Sequence, residues 1–242
     1  MASSSTCITR FPDGYMETAK YYQLSKRLLD IVVALCGLAW TAPLLAVVAV
    51  LIKVRSPGPV FYRGIRVGLY GRPFRILKFR TMVVDAEVLG GSATADDDFR
   101  LTTFGRKLRK SKVDELPQLM NVLLGEMSLV GPRPEVQKYV DRYTEGERSI
   151  LNLRPGLTDW ATIWNSDEGA ALAGSSDAER TYEEFIRPIK TKLQLLYTKN
   201  HSMAVDLKII FHTGMKLLNK NWTPKEIAVH GTSTNLRASC RF

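Results

Sequence analysis

The longest apolar stretch of the chain runs from Leu28 to Ile52, 25 residues that contain one charge, Asp30, and one proline, Pro43. Roughly 20 apolar residues are enough for a helix to cross a bilayer. The pattern therefore predicts a membrane segment over residues 26–56, which makes this a membrane protein whose polar part follows that segment.

Basic residues flank this segment on both sides. Lys20, Lys26 and Arg27 precede it. The C-terminal flank is richer still, with Lys53, Arg55, Arg63, Arg66, Arg72, Arg75, Lys78 and Arg80, and no acid lies between Asp30 and Asp85. Positive charge on short flanks marks the cytoplasmic side of a membrane, so both ends favour the same side.

A helix that is broken at Ala42–Pro43 and re-enters the same face would satisfy both flanks, because proline removes a backbone donor and clashes with the preceding turn. Leu28 to Ala42 is 15 residues, about 22 Å of helix, which is too short for a hydrocarbon core of about 30 Å. A single span with a proline kink is the alternative, since transmembrane helices tolerate proline.

Beyond residue 56 the pattern predicts an α+β domain that is mainly α. Two β-leaning runs, 60–67 and 74–82, are separated by glycines and a proline and predict a short β-hairpin. Amphipathic helices are expected within 99–112, at 177–199 and 202–219, and from Thr223. The predicted organisation is a polar lead-in over 1–25, the membrane segment over 26–56, a catalytic domain over 57–229 and a disordered tail over 230–242.

The clearest helix lies between these elements. Its apolar positions recur at helical spacing: Leu116, Leu119, Met120, Leu123, Leu124 and Met127. Proline is tolerated only in the first turn of a helix, so Pro117 predicts a start at about Asp114 or Glu115. We expect the helix to end before the rigid turn that begins at Gly131.

Charge and cysteine usage narrow the class of protein. A net charge of +10 and an isoelectric point near 9.6 point to an acidic partner: nucleic acid, anionic lipid or a phosphorylated substrate. The three cysteines lie far apart and form neither a metal-binding spacing nor a disulfide framework. This usage fits a domain that faces a reducing cytoplasm.

The candidate chemistry lies at Asp114 and Glu115, adjacent carboxylates at a helix start. An acidic N-terminus is a common and purely structural start signal, but here Arg109 precedes the pair, and prolines on both sides fix the approach of Arg133. Carboxylates among arginines suit metal-assisted phosphoryl transfer. One carboxylate can attack phosphorus, and the other can hold Mg²⁺ together with a diphosphate.

Four ordered motifs carry a family resemblance. They are Lys78-Phe79-Arg80-Thr81-Met82, Asp114-Glu115-Leu116-Pro117-Gln118-Leu119, Met127-Ser128-Leu129-Val130-Gly131-Pro132-Arg133-Pro134 and Arg154-Pro155-Gly156-Leu157-Thr158. From about Lys26 to Leu218 the chain resembles the bacterial sugar transferases, the monotopic phosphoglycosyl transferases that start glycan assembly on polyprenyl phosphate.

The resemblance implies a reaction and its residues. Asp114 would attack the β-phosphate of a UDP-sugar, releasing UMP, and the phosphosugar would then pass to polyprenyl phosphate, expected to be undecaprenyl phosphate. Glu115 would bind Mg²⁺, and Arg109 and Arg133 would bind phosphate. Three further residues match motif positions at the active site: Lys78, Arg80 and Gln118. The family resides at the cytoplasmic face of the bacterial inner membrane on a re-entrant helix.

Two departures from the family pattern bear on function. Ala42–Pro43 stands where the family usually has Ser-Pro, and the loop at 159–168 differs from the common Thr-Gly-Trp-Ala-Gln continuation. If that loop meets the nucleotide or the sugar, the choice of sugar differs from that of better-known members. Two other classes compete with the enzyme hypothesis: a membrane-tethered nucleic-acid-binding regulator and a non-catalytic partner of assembly enzymes.

Overall fold

A computed structural model describes residues 13–228 of the chain. Residues 1–12 of the predicted polar lead-in and the whole predicted tail at 230–242 lie outside the described residues.

The membrane segment belongs to one long helix, α1 (Asp13–Arg55), which begins well before the apolar run. The helix continues through Pro43. The expected break in helical structure at Ala42–Pro43 is therefore wrong. Pro43 removes one amide hydrogen bond from a helix of 43 residues. Just before it, the hydroxyl of Thr41 donates to the carbonyl of Gly37 at 2.6 Å, a back-bond of the kind that bends helices.

In the described part of the chain, α1 is the one helix that is long and apolar enough to cross a membrane by length and composition. Its middle section presents large apolar side chains outward: Trp40 is 89% exposed and Val47 is 56% exposed.

The predicted β-hairpin is confirmed as two short antiparallel ladders. Strand β1 (Phe61–Tyr62) pairs with β4 (Lys78–Phe79), and β2 (Ile65–Val67) pairs with β3 (Pro73–Arg75). The connection between β2 and β3 is a 3₁₀ turn that ends in Gly71 at φ 76°. Lys78 lies in the middle of the second run, where it is the first residue of β4.

Helices make up most of the rest. They are α2 (Ala86–Leu89), α3 (Thr103–Ser111), α4 (Gln118–Leu124), α5 (Gln137–Val140), α6 (Trp160–Trp164), α7 (Glu168–Leu172), α8 (Ala178–Thr181), α9 (Arg187–Asn200), α10 (Met203–Leu218) and α11 (Lys225–Ala228). A π-helical turn, Tyr182–Ile186, joins α8 to α9. The helices predicted within 99–112, at 177–199 and at 202–219 are confirmed, as is the mainly helical α+β class.

The helix expected from Asp114 onward is shorter than predicted. A 3₁₀ turn, Val113–Glu115, comes first, and α4 then ends at Leu124 because Gly125 adopts φ 82°. The following residues form strand β5 (Ser128–Val130), which pairs in parallel with β6 (Gly156–Thr158). A Cβ added at Gly156 would lie 2.1 Å from the amide nitrogen of Gly131, so this close approach requires glycine.

The first half of α1 is fastened to α4 and β5 by two charged side chains. Arg27 donates to the carbonyls of Val122 and Leu123, at 2.6 and 2.8 Å, and so caps the C-terminus of α4. The buried Asp30 accepts from the amide of Leu129 at 2.9 Å and from the hydroxyl of Ser128 at 3.1 Å. Arg27 and Asp30 therefore each bind the domain that follows α1.

Further contacts hold both ends of α1 against the same domain. Near its start, Lys26 forms a 2.7 Å ion pair with the buried Asp206 of α10. In its second half, Val48 and Ile52 pack with Phe79 and Leu108 in a buried apolar cluster. The main core lies between these contacts, beside α4, β5 and β6, and includes Val122, Met127, Ile163, Leu193 and Ile209.

We predict that Asp30→Leu destabilises the fold by about 1–3 kcal/mol, because the buried amide of Leu129 would lose its acceptor. Asp30→Asn, the matched control, keeps an amide oxygen for that bond and should lose less. Thermal unfolding in detergent micelles measures both. Equal midpoints for the wild type and Asp30→Leu would contradict this role of Asp30.

Candidate active site

The site is a cavity of about 180 Å³ that is bordered by β4, by the turn before α4 and by the loops after β5 and α6. Its lining is rich in charge of both signs. The cations are Arg66, Lys78, Arg109, Lys112, Arg133 and Lys190. Besides Asp114 and Glu115, the lining includes four carboxylates: Asp96, Glu135, Asp167 and Glu168.

Asp114 lies on the 3₁₀ turn that precedes α4. Lys112, in the left-handed conformation at φ 60°, ends α3 and directs the chain into this turn. The side chain of Asp114 is buried, 5% exposed, and its Oδ1 atom has no hydrogen-bond partner. A buried polar atom without a partner is costly in a folded protein, so this oxygen is available to a ligand.

Glu115 is held between two cations. Lys78 Nζ lies 2.8 Å from Glu115 Oε1, and the guanidinium of Arg133 binds the carboxylate in a bidentate manner. Burial alone would raise the pKa of Glu115, but Arg133 and Lys78 hold that pKa well below its usual range. Glu115 is therefore a stable anion that neutralises its two partners.

The surroundings of Asp114 have the opposite net effect on its pKa. Burial, followed by the adjacent Glu115, raises the pKa of Asp114, whereas Lys78, Arg109 and Lys112 oppose that rise. A carboxylate with a raised pKa is the more basic and hence the more nucleophilic of an adjacent pair. The two carboxylates are thus differentiated by environment, which is a frequent sign of a catalytic site.

The backbone of Arg133 is fixed on both sides. Its amide donates to Asp159 Oδ2 at 3.2 Å, and Gln194 Nε2 donates to its carbonyl at 3.1 Å. Asp159 is fully buried and also accepts from the amide of Thr162 at 2.7 Å, where it caps α6. Our sequence analysis did not identify these positioning residues, because an N-cap aspartate and a helical glutamine carry no distinctive spacing.

The structure brings together five of the predicted site residues and separates four. Lys78, Arg109, Asp114, Glu115 and Arg133 line the cavity. Ala42 and Pro43 lie within α1. Arg80 does not line the cavity; it is buried and donates to the carbonyls of Ser56 and Pro57, at 2.8 and 2.6 Å, where it anchors the chain just after α1.

Gln118 lies one helical turn after Asp114 and is fully buried, but it is not among the residues that line the cavity. Both polar atoms of its amide lack a partner.

A second network of charged side chains lines the same cavity around Lys190 of α9, and our sequence analysis did not identify it. Lys190, buried on α9, lies 2.5 Å from Glu135, 3.0 Å from the hydroxyl of Tyr182 and 3.7 Å from Glu168. Burial alone would lower the pKa of Lys190, but Glu135 and its other partners raise it well above its ordinary value. Lys190 is therefore a permanent cation whose charge is already matched by its neighbours.

A magnesium ion at the predicted site would need some of its ligands from the substrate. Among the described residues there is no cluster of three metal-ligating side chains. Mg²⁺ is commonly held by one or two carboxylates together with substrate phosphates, and Glu115 already shares its oxygens with Arg133 and Lys78. The donor set therefore suits an ion that is held jointly with a bound diphosphate, rather than by protein side chains alone.

Comparison with known proteins assigns the chain to a family. The family model for bacterial sugar transferases matches residues 21–220. The chain is 37% identical over 203 residues to the UDP-N-acetylgalactosamine-undecaprenyl-phosphate N-acetylgalactosaminephosphotransferase of Aeromonas hydrophila, a match that covers 83% of this chain and 45% of that protein.

It is also 38% identical over 221 residues to a UDP-glucose:undecaprenyl-phosphate glucose-1-phosphate transferase of Caulobacter vibrioides, covering 90% of this chain and 78% of the relative. To the exopolysaccharide production protein ExoY of Sinorhizobium fredii it is 34% identical over 205 residues, with 78% and 84% covered. The chain spans less than half the length of several of the curated relatives it matches. From this match over most of its length, we conclude that the chain belongs to the bacterial sugar transferase family.

Proposed function

We propose that this chain transfers a sugar-1-phosphate from a UDP-sugar to undecaprenyl phosphate and releases UMP, as the first step in the assembly of an exopolysaccharide or related glycan. The observation that carries the proposal is the unpartnered oxygen of Asp114, buried beside a glutamate that two cations neutralise. The named activities of the relatives supply the substrate classes.

The first step is nucleophilic attack by Asp114. The diphosphate binds in the cavity beside Lys78, Arg109 and Arg133, whose positive charge attracts its phosphates. Asp114 Oδ1 forms a bond to the β-phosphorus, the bond from that phosphorus to the bridging oxygen breaks, and UMP leaves with the oxygen. The product is an acyl phosphate that joins Asp114 to the phosphosugar.

The second step regenerates the enzyme. An oxygen of undecaprenyl phosphate attacks the phosphorus of the intermediate, the bond from Asp114 to phosphorus breaks, and the carboxylate is restored. The product is the lipid diphosphate sugar. Arg133, fixed through Asp159 and Gln194, remains in place to bind the phosphoryl oxygens in both steps.

Magnesium completes the proposed site. Glu115 would hold the ion together with the diphosphate, and the ion would neutralise the charge that develops on the departing UMP.

The arrangement of α1 supports a location at one face of the membrane. Lys26, just before the apolar run, and Ile52, at its end, both contact the same domain, while the exposed Trp40 and Val47 lie between them. The two ends of a spanning helix lie on opposite sides of a hydrocarbon core of about 30 Å, out of reach of a domain on one side. We therefore propose that α1 is re-entrant and that the domain lies on the cytoplasmic face of the inner membrane, where the flanking positive charge favours it.

We predict that Asp114→Asn lowers the rate of UMP release from a UDP-sugar by about three orders of magnitude or more, because the nucleophile is lost. The assay follows UMP release by purified protein with Mg²⁺, a panel of UDP-sugars and undecaprenyl phosphate. Asp141→Asn, which removes a carboxylate from an exposed position, should act like the wild type. Full turnover by Asp114→Asn would refute the proposed nucleophile and favour a non-catalytic role for the chain.

Removal of divalent cations with EDTA should abolish UMP release by the wild type, and added Mg²⁺ should restore it. Glu115→Gln should raise the Mg²⁺ concentration needed for half-maximal activity, by about tenfold or more, since a neutral amide is a weaker ligand than a carboxylate. Activity that persists in EDTA would exclude the proposed metal.

The topology of α1 can be tested with single cysteines introduced at Gln23 and Arg63, in a protein whose native cysteines have been replaced by serine. Both positions are exposed, and they lie on either side of the apolar run. A membrane-impermeant maleimide should label both only when it has access to the cytoplasmic face. Glu145→Cys, on an exposed turn of the domain, reports the side on which the domain lies. Labelling of Gln23→Cys and Arg63→Cys from opposite faces would show that α1 spans the bilayer.

A further inference from the structure

Helix α3 carries a row of exposed cations that no neighbouring acid balances. Arg106, Lys107 and Lys110 are exposed, and the sequence contains no acid between Asp98 and Asp114. In the part of the chain that the structure describes, none of the three cations forms a salt bridge. The described contact of Arg106 is a 3.4 Å hydrogen bond to the carbonyl of Asp98.

This row of like charges costs the helix stability. Arg106 and Lys110 are four residues apart, and Lys107 and Lys110 are three apart, so their charges are neighbours on the helix surface and repel each other. A helix face that is merely solvated typically alternates the sign of its charges. The pattern on α3 therefore favours an anionic partner that offsets the repulsion.

The opposite side of α3 is packed on the second half of α1. Leu108 is buried in the same apolar cluster as Val48 and Ile52. The guanidinium of Arg55, the last residue of α1, lies over the ring of Phe104, 5.2 Å from its centroid. Helix α3 is thus fixed beside the end of the apolar run, where the proposed membrane segment reaches the membrane surface.

Exposed apolar side chains lie next to the same cations. Phe99 is 75% exposed and follows Asp98, whose carbonyl accepts from Arg106. Val54 is 78% exposed and precedes Arg55, which contacts the first turn of α3. An anionic membrane surface accommodates both kinds of side chain, because cations meet the headgroups and apolar groups enter the layer just below them. Position and composition therefore favour lipid headgroups as the anionic partner.

The C-terminal end of α3 leads directly to the proposed nucleophile. Arg109 and Lys112 line the cavity together with Asp114. Lys112 ends the helix in the left-handed conformation and is followed by the 3₁₀ turn that carries Asp114. One helix therefore connects the end of the membrane segment with the cavity, and its cations extend from the exposed face to the cavity wall.

We propose that the exposed face of α3, formed by Arg106, Lys107 and Lys110, binds the phosphate headgroups of membrane lipids and so concentrates the anionic lipid acceptor beside the cavity. The part that concerns the acceptor rests on the proposed function. The binding of lipid headgroups does not, and the two parts are measured separately.

Lipid binding is tested with the α3 variant, in which Arg106→Gln, Lys107→Gln and Lys110→Gln are combined. Native mass spectrometry of the full-length protein in detergent follows the binding of added phosphatidylglycerol or phosphatidylcholine. The wild type should prefer phosphatidylglycerol, and added salt should weaken that preference. The α3 variant should bind phosphatidylglycerol at least about tenfold more weakly, since each basic residue near an anionic membrane surface contributes roughly fivefold in affinity.

Two controls separate position from net charge. Combining Arg72→Gln, Arg148→Gln and Lys192→Gln removes the same charge from exposed positions elsewhere and should leave the binding of phosphatidylglycerol unchanged. Lys107→Arg with Lys110→Arg keeps the charge of the α3 face and should also bind like the wild type. The thermal unfolding midpoint of the α3 variant should be no lower than that of the wild type, because its helix has lost the repulsion.

The role in acceptor binding is tested by separating the two steps of the reaction. The α3 variant should raise the KM for undecaprenyl phosphate by about tenfold or more. It should leave unchanged the rate at which a UDP-sugar forms the adduct on Asp114 in the absence of a lipid acceptor. Slower formation of that adduct would assign these cations to the donor and overturn the inference.

Other results would also overturn it. Equal binding of phosphatidylglycerol by the wild type and the α3 variant would leave the face without a lipid, and an unchanged KM for undecaprenyl phosphate would remove its role toward the acceptor. Retention of a DNA duplex in place of phosphatidylglycerol, lost in the α3 variant, would assign the face to nucleic acid. If the wild type releases UMP from no nucleotide sugar, the proposed function fails, whereas the lipid measurement still decides whether α3 binds headgroups.

Discussion

The ion pairs of Glu115 with Arg133 and Lys78 are the interaction on which the site depends. They fix one carboxylate as a permanent, neutralised anion and bring two cations to the position where a diphosphate is proposed to bind. The adjacent Asp114 is left buried with a free oxygen. If the cations paired with Asp114 instead, no nucleophile would remain, so the pairing determines which of two neighbouring carboxylates can react.

Other contacts of the fold hold these charged residues in a fixed position relative to α1. Arg27 and Asp30 connect α1 to α4 and β5. These two elements lie between Glu115 and Arg133 in the sequence. Arg80 fixes the other end of α1 to the strand that carries Lys78. The apolar helix and the catalytic residues are thus parts of one packed unit, which suits a reaction between a soluble nucleotide sugar and a lipid.

The parts of the fold in which a single residue constrains the backbone were largely predictable from the sequence. Pro117 predicted a helix start at about Asp114 or Glu115; these residues lie instead on a 3₁₀ turn, and α4 begins at Gln118. Glycine and proline positions correctly predicted the hairpin that carries Lys78. The end of α4 was missed because the apolar spacing continues to Met127, although Gly125 ends the helix. Strands β5 and β6 have three residues each, too few for an alternating pattern to be recognised.

The roles of individual charges were harder to predict, because they depend on which distant groups a long side chain meets. Arg80 stands in the same motif as Lys78, yet it binds backbone carbonyls at the end of α1. Lys190 and Glu135 are 55 residues apart in the sequence and carry no shared motif, but they form an ion pair in the wall of the cavity.

The central claim, that Asp114 reacts with the donor, is tested most directly by intact-mass and peptide mass spectrometry of the protein incubated with a UDP-sugar and Mg²⁺ in the absence of a lipid acceptor. The account predicts that one phosphosugar is attached covalently to Asp114 and disappears when undecaprenyl phosphate is added. Release of UMP without any adduct on Asp114, or an adduct on another residue, would contradict it.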